Sequence, residues 1–189
     1  PVAYKIYNQP DDKEYYKKIM TYVTYVLVWG ALFLSVFSKE IIMLFSSKDA
    51  FIPAYEVVPV ILFSYVFFGM SLISSLGFYL VGRTGYVAVI TIVSALLNMA
   101  LNFILIPIYG IMGAAINTLV AFVFLYLISL LVSNQFFQIN FEHKKLFSLI
   151  LLGVSLFFVS TLFNSMHLFH SLLLKLALVV LYPIILFIG

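Results

Sequence analysis

The chain has 189 residues, 65% hydrophobic and only 9% charged, with a net charge of +3 and no cysteine. A soluble domain carries roughly 25% charged residues and could not hide this much apolar surface, so the composition excludes an ordinary water-soluble fold and points to a membrane protein. The missing cysteines exclude disulfides, thiolate nucleophiles and cysteine metal sites. The basic balance comes without a lysine or arginine cluster longer than two, which fits loop charges that set membrane topology and gives no reason to expect a nucleic-acid partner.

Residues 1–18 form the one strongly polar stretch. Asp11 and Glu14 have capping-box spacing, and acids in a first turn suit the helix dipole. The pattern predicts a helix that starts near 10–12 and runs into the first of six apolar spans. A membrane helix needs about 20 mostly apolar residues. On that criterion the spans fall at 19–37, 54–81, 86–107, 111–133, 146–163 and 172–188.

Between the first two spans, IIMLF (41–45) is too short to cross and is expected to form a short interfacial helix or turn. Pro59 and Gly69 interrupt the second span and suggest a kink. Ser71, Ser74 and Ser75 follow and can satisfy backbone carbonyls or line a polar cavity. The links at 82–85 and 108–110 are short enough to force antiparallel hairpins. The 134–145 loop carries aromatics expected at headgroup level.

Lys5, Lys13, Lys17, Lys18, Arg83, Lys144 and Lys145 fall on one side, and Lys39, Lys48 and Lys175 on the other. The positive-inside rule therefore places Pro1, 82–85 and 134–145 in the cytoplasm. The chain opens without a methionine or signal peptide and stops within an apolar run, which reads as a piece of a longer protein.

Catalytic signatures are missing: there is no HExxH, GxSxG, phosphate-binding loop or dinucleotide turn. The expectation is a non-enzyme with no catalytic residue, cofactor or metal site. His167 and His170 are three apart but have no carboxylate beside them, too little for a zinc set. Glu56, in FIPAYEVVP, is an ionisable group near a span. It is either a hydrated headgroup-level residue or a contact for a proton, a cation or a sugar. Lys175 sits near the outer end of its span, where it can snorkel to water.

The most informative stretch is LNMALNFILIPIYGIMGAAINT (97–118). Asn98 and Asn102, four apart, share a helix face, and an unpaired amide is costly in lipid. Gly110 and Ala114 have the small-xxx-small spacing that lets helices approach, with Gly113 and Ala115 adding to the smooth surface. Asn117 falls on the same side. Two readings are open: a tight hairpin whose amides bond across the helices, or amides that line a hydrophilic path.

This stretch resembles a pattern typical of polysaccharide-transporter flippases of the multidrug/oligosaccharidyl-lipid/polysaccharide exporter superfamily. The matching positions are Asn98, Leu101, Asn102, Leu105, Ile106, Pro107, Tyr109, Gly110, Ile111, Gly113, Ala114, Ala115 and Thr118. Weaker likeness extends over residues 1–133. The resemblance implies an all-α integral membrane fold, with six transmembrane helices forming the C-terminal part of a flippase of about fourteen spans. Residues 1–18 would be a cytoplasmic segment and helix start, and 19–133 the four-span remainder of the second lobe. Residues 134–145 would be a cytoplasmic loop and 146–189 two additional spans.

The implied activity is movement of undecaprenyl-pyrophosphate-linked oligosaccharide across the bacterial cytoplasmic membrane for O-antigen, capsule or related polymers, by rocking of two lobes. Membrane lipids, a coupling cation and the absent N-terminal half would be its partners. Any phosphate-binding cation of the central cavity would lie in that absent half, and the piece alone would be inactive. The competing readings are a cation-coupled multidrug exporter of the same superfamily and an integral-membrane glycan-modifying enzyme.

Overall fold

A computed structural model describes residues 6–9, 11–45, 54–165 and 168–188, and the described part is helical throughout, without strands. We label the helices α1 (Asp12–Val36), α2 (Ser38–Phe45), α3 (Val58–Ser74), α4 (Leu76–Leu80), α5 (Gly85–Ser133), α6 (His143–Thr161) and α7 (Leu168–Ile188). By length and apolar composition, 12–36, 54–80, 85–133 and 143–161 qualify as membrane-crossing. The third of these folds back on itself at Gly110, so its two arms, 85–109 and 111–133, each match a single span of about 20 residues. α7, whose apolar stretch 170–185 is shorter than that criterion, stands where the sixth span was anticipated from hydropathy.

α1 begins at Asp12, as the acidic first turn predicts, but the capping box does not form. Asp11 makes no side-chain cap hydrogen bond. Instead Asp12 Oδ2 accepts from the Asn8 backbone N–H at 3.0 Å, and Glu14 turns to Lys17 at 3.1 Å. Along α1 the residues Tyr16, Met20, Thr24, Val28, Leu32 and Val36 recur every four positions and are all buried. That spacing draws one buried stripe down the helix, flanked by Leu27 against α3 and by Tyr25 and Trp29 against α7.

α6 runs parallel to α1. Lys17 Nζ lies 3.3 Å from Glu142 Oε1 at one end, and Gly153 sits against Val28 midway, where any Cβ would overlap the valine. α7 returns antiparallel. Trp29 Nε1 donates to the Val179 carbonyl at 3.0 Å, and Tyr25 stacks on Tyr182 with ring centroids 5.6 Å apart.

The second span differs from its sequence reading. Pro59 is at the first turn of α3, where its missing N–H costs nothing, so it introduces no kink. Gly69 does not break the helix either. It gives room to Leu27 of α1. The interruption falls at Ser75, between α3 and α4, where the Ser75 hydroxyl donates to the Ser71 carbonyl at 2.8 Å. Ser71 Oγ likewise donates to the Phe68 carbonyl at 2.6 Å, so these hydroxyls do satisfy carbonyls, while Ser74 Oγ meets no partner among the described residues. α4 closes through Gly82 (φ 71°), with Arg83 N–H donating to the Phe78 carbonyl at 2.8 Å.

The 134–145 loop folds inward. Ile139 and Phe141 are buried, Phe137 packs on Tyr7 and Tyr16, and Phe136 lies between Phe78, Tyr86 and the Arg83 guanidinium. These aromatics pack against the base of the bundle. α2 is the short helix anticipated at 41–45, with Met43, Leu44 and Phe45 exposed.

Candidate functional site

The stretch singled out in the sequence forms the tip of the α5 hairpin. Gly110 has φ 57° and ψ −135°, a conformation in which an L side chain is strained, and this single residue reverses the chain. Pro107 sits on the last turn of the first arm, exposed.

Gly113 is the point of closest approach. A Cβ there would overlap the Leu105 carbonyl and crowd the Tyr109 side chain, whereas nothing lies within 4 Å of the position a Cβ would take on Gly110. The anticipated Gly110–Ala114 pair therefore divides differently. Gly110 makes the turn, Gly113 makes the contact, and Ala114 is half-buried beside it, its carbonyl accepting from the Thr118 hydroxyl at 2.9 Å.

The three asparagines converge. Asn102 Nδ2 donates to Asn98 Oδ1 at 3.2 Å along the first arm. Across the hairpin, Asn117 Nδ2 donates to the Asn98 backbone carbonyl at 2.6 Å. Asn117 is fully buried, while Asn98 and Asn102 are half-buried. A carbonyl oxygen has two lone pairs, so this one can accept the Asn117 amide in addition to its place in the helix. The side-chain oxygens of Asn102 and Asn117 are buried without a donor among the described residues. In a protein interior such oxygens call for a donor or a positive charge. Chemically, the cluster is a polar knot of amides, held by one cross-hairpin bond and carrying two spare acceptors.

Glu56 is elsewhere. It lies in the short turn 54–56 ahead of α3, outside the helix, exposed, and on the rim of a cavity of about 210 Å³. Nothing brings it to the asparagines. Lys175 overturns the snorkelling expectation: its side chain is 2% exposed, and Nζ lies 2.5 Å from Glu40 Oε1. The neighbouring helix supplies a counter-ion within the bundle, so the ammonium has no need to reach water. His167 lies outside the described residues, and His170 is exposed. No group of three or more His, Asp or Glu able to hold a metal occurs among the described residues.

The sequence offered no sign of the Glu40–Lys175 pair, because its members are 135 residues apart. The same holds for Ser35, Ser38, Ser160 and Thr161, which line the cavity beside Glu56 from three different helices.

Comparison with known proteins places this architecture. The MatE family model matches residues 10–104, which is half of the chain and takes in α1 through the first arm of α5 as far as Ile104, Asn98 and Asn102 included. The chain belongs to the MatE family. This family lies in the exporter superfamily suggested by the asparagine motif.

Among curated proteins, this MatE chain is 27% identical over 142 residues to the uncharacterized membrane protein MJ1068 of Methanocaldococcus jannaschii. The match covers 73% of the chain and 27% of that relative. Among solved structures, the Lipid II flippase MurJ in its inward closed conformation superposes with a TM-score of 0.71 at 21% identity. It aligns with 98% of this chain and 41% of MurJ. The chain thus spans well under half the length of either protein. Its described helices have the fold of part of a MurJ-like flippase, and the chain is a multi-pass membrane protein.

Proposed function

We propose that this chain is the C-terminal part of a flippase that moves undecaprenyl-pyrophosphate-linked oligosaccharide repeat units across the bacterial cytoplasmic membrane by alternating access, and that it is a transporter and not an enzyme. The observation that carries the reading is the α5 hairpin. Its asparagine knot lies in the stretch that resembles the polysaccharide-transporter pattern, within a chain of MatE membership and flippase-like fold. The absent N-terminal half would complete the cavity and the lobe against which this one moves. In this reading Asn98 and Asn102 present their amides to the polar part of the cargo or to a coupling cation, while Asn117, Gly110, Gly113 and Pro107 hold the hairpin in shape.

The test uses the full-length protein. Asn98→Leu and Asn102→Leu should each leave membrane levels intact and stop export of the surface polymer. Unchanged export with both substitutions would reduce the amides to packing and remove the proposed cargo contact.

MatE membership equally supports a cation-coupled multidrug exporter. The same variants distinguish the two: sensitivity to cationic dyes with normal polymer would favour the drug exporter.

A further inference from the structure

The cavity beside Glu56 is separate from the asparagine knot and is lined by a different set of helices. α1 and α6, which run parallel, both end at it, and α2 and the turn ahead of α3 cover its side. Its lining divides by chemistry. Val36, Pro59 and Phe157 are apolar. Ser35, Ser38, Ser160, Thr161, Lys39 and Glu56 are polar.

The hydrogen-bonding capacity of these groups is specific. The hydroxyl hydrogens of Ser38, Ser160 and Thr161 are committed to the carbonyls of Ser35, Phe157 and Phe158, at 2.9, 2.6 and 2.7 Å. Their oxygens are left as acceptors. Ser35, 2% exposed, is the opposite case: the residue lines the cavity and its buried hydroxyl meets no partner among the described residues.

Acceptors at the cavity are thus Glu56 and two hydroxyl oxygens of α6, reinforced by the carbonyl ends of α1 and α6. The donor at the cavity is the Lys39 ammonium, with the unpartnered Ser35 hydroxyl buried in the wall behind it. Lys39 is held in place. Its Nζ lies 5.7 Å from the Tyr55 ring centre, and its neighbours Ser38 and Glu40 are fixed to Ser35 and Lys175.

We propose that this cavity is a binding site for a zwitterionic phospho-amine, the headgroup of an aminophospholipid. The ammonium would sit against Glu56 and the α6 hydroxyls, the phosphate against Lys39 and Ser35, and the acyl chains would leave over Val36 and Phe157. At about 210 Å³ the cavity is below the range of roughly 300–1,000 Å³ that takes larger ligands, and it fits one headgroup and no oligosaccharide. A neutral sugar would use neither charge, and an anionic headgroup would leave Glu56 opposed.

The test is calorimetric titration of the full-length protein in detergent with dihexanoyl-phosphatidylethanolamine, dihexanoyl-phosphatidylglycerol and free phosphoethanolamine. The ethanolamine lipid should bind one site about tenfold more tightly than the glycerol lipid. Glu56→Gln should erase that preference, and Lys39→Ala should weaken both lipids. Ser35→Ala, which changes little volume, serves if either variant lowers the unfolding midpoint, and should weaken both lipids as well. Free phosphoethanolamine binding as tightly as the lipid would support the same site with a soluble ligand, and much weaker binding would support the phospholipid. Equal affinity for the two lipids in the unaltered protein, or unchanged ethanolamine-lipid binding in the variants, overturns the proposal.

Discussion

Lys175 on α7 and Glu40 on α2 form an ion pair 2.5 Å long, with the lysine almost wholly buried. Removing one member of a buried pair leaves an uncompensated charge, whereas replacing both by apolar groups removes the desolvation problem altogether. Glu40→Leu or Lys175→Met alone should therefore destabilise the protein by about 3–5 kcal/mol, and the double variant far less. Unfolding midpoints of the full-length protein in detergent, taken as a double-mutant cycle, check this. Additive losses would show that the two charges do not depend on each other.

The hairpin tip separates two roles of glycine. Gly110→Ala should cost about 1–2 kcal/mol, the strain of a left-handed residue. Gly113→Ala meets backbone where the arms touch, and overpacking of that kind costs about 1–3 kcal/mol. Enlarging the side chain should therefore worsen the loss at Gly113 and leave it nearly flat at Gly110, where there is open space. Thermal unfolding of Ala and Leu variants at both positions distinguishes the two, since leucine adds bulk without the β-branch that positive φ penalises.

Asn117 should behave differently from the other two asparagines. Asn117→Leu removes the one amide bond across the hairpin, to the Asn98 carbonyl, at about 0.5–1.5 kcal/mol, and should lower both the midpoint and the amount of protein in the membrane. Asn98→Leu keeps that bond, since Asn117 contacts the backbone. Equal stability losses for the two substitutions would contradict the geometry.

At the base of the bundle, Phe137 contacts Tyr7 and Tyr16 at centroid distances of 5.6 and 5.9 Å, and the Lys13 ammonium lies 5.6 Å from its ring. Phe137→Ala should destabilise by about 3–5 kcal/mol, and Phe137→Leu by clearly less. Protease cleavage within 134–142 should rise sharply for the alanine variant, because this ring pins the loop to the start of α1.

The six spans and the hairpin at 97–118 were readable from the chain because both depend on local signals: runs of apolar residues, and a proline and glycines between two amide-bearing stretches. Even there the pattern could not tell which glycine turned and which one touched, since that depends on how the second arm sets against Leu105. Pro59 misled for a related reason. A proline counted as interior to an apolar run sits at the first turn of α3 once the turn 54–56 is split from it. Lys175, Glu40 and the hydroxyls of the cavity are joined only when α1, α6 and α7 come together, and nothing in their sequence neighbourhoods marks them as partners. The inward folding of Phe136, Phe137 and Phe141 was hidden too, because an aromatic loop reads alike whether it faces lipid headgroups or closes a bundle.

The attachment of α7 to α1 has a mechanical consequence. Trp29 is bonded to Val179, Tyr25 is stacked on Tyr182, Glu40 is paired with Lys175, and α6 is pressed on Val28 through Gly153. With Lys17–Glu142 near the start of α1 and Glu40 on α2 just past its end, these ties span the length of α1, so the last two helices have no hinge of their own against it. They act as a splint: when α1 tilts, α6 and α7 tilt with it, and a covalent bridge between α1 and α7 would leave the tilting intact.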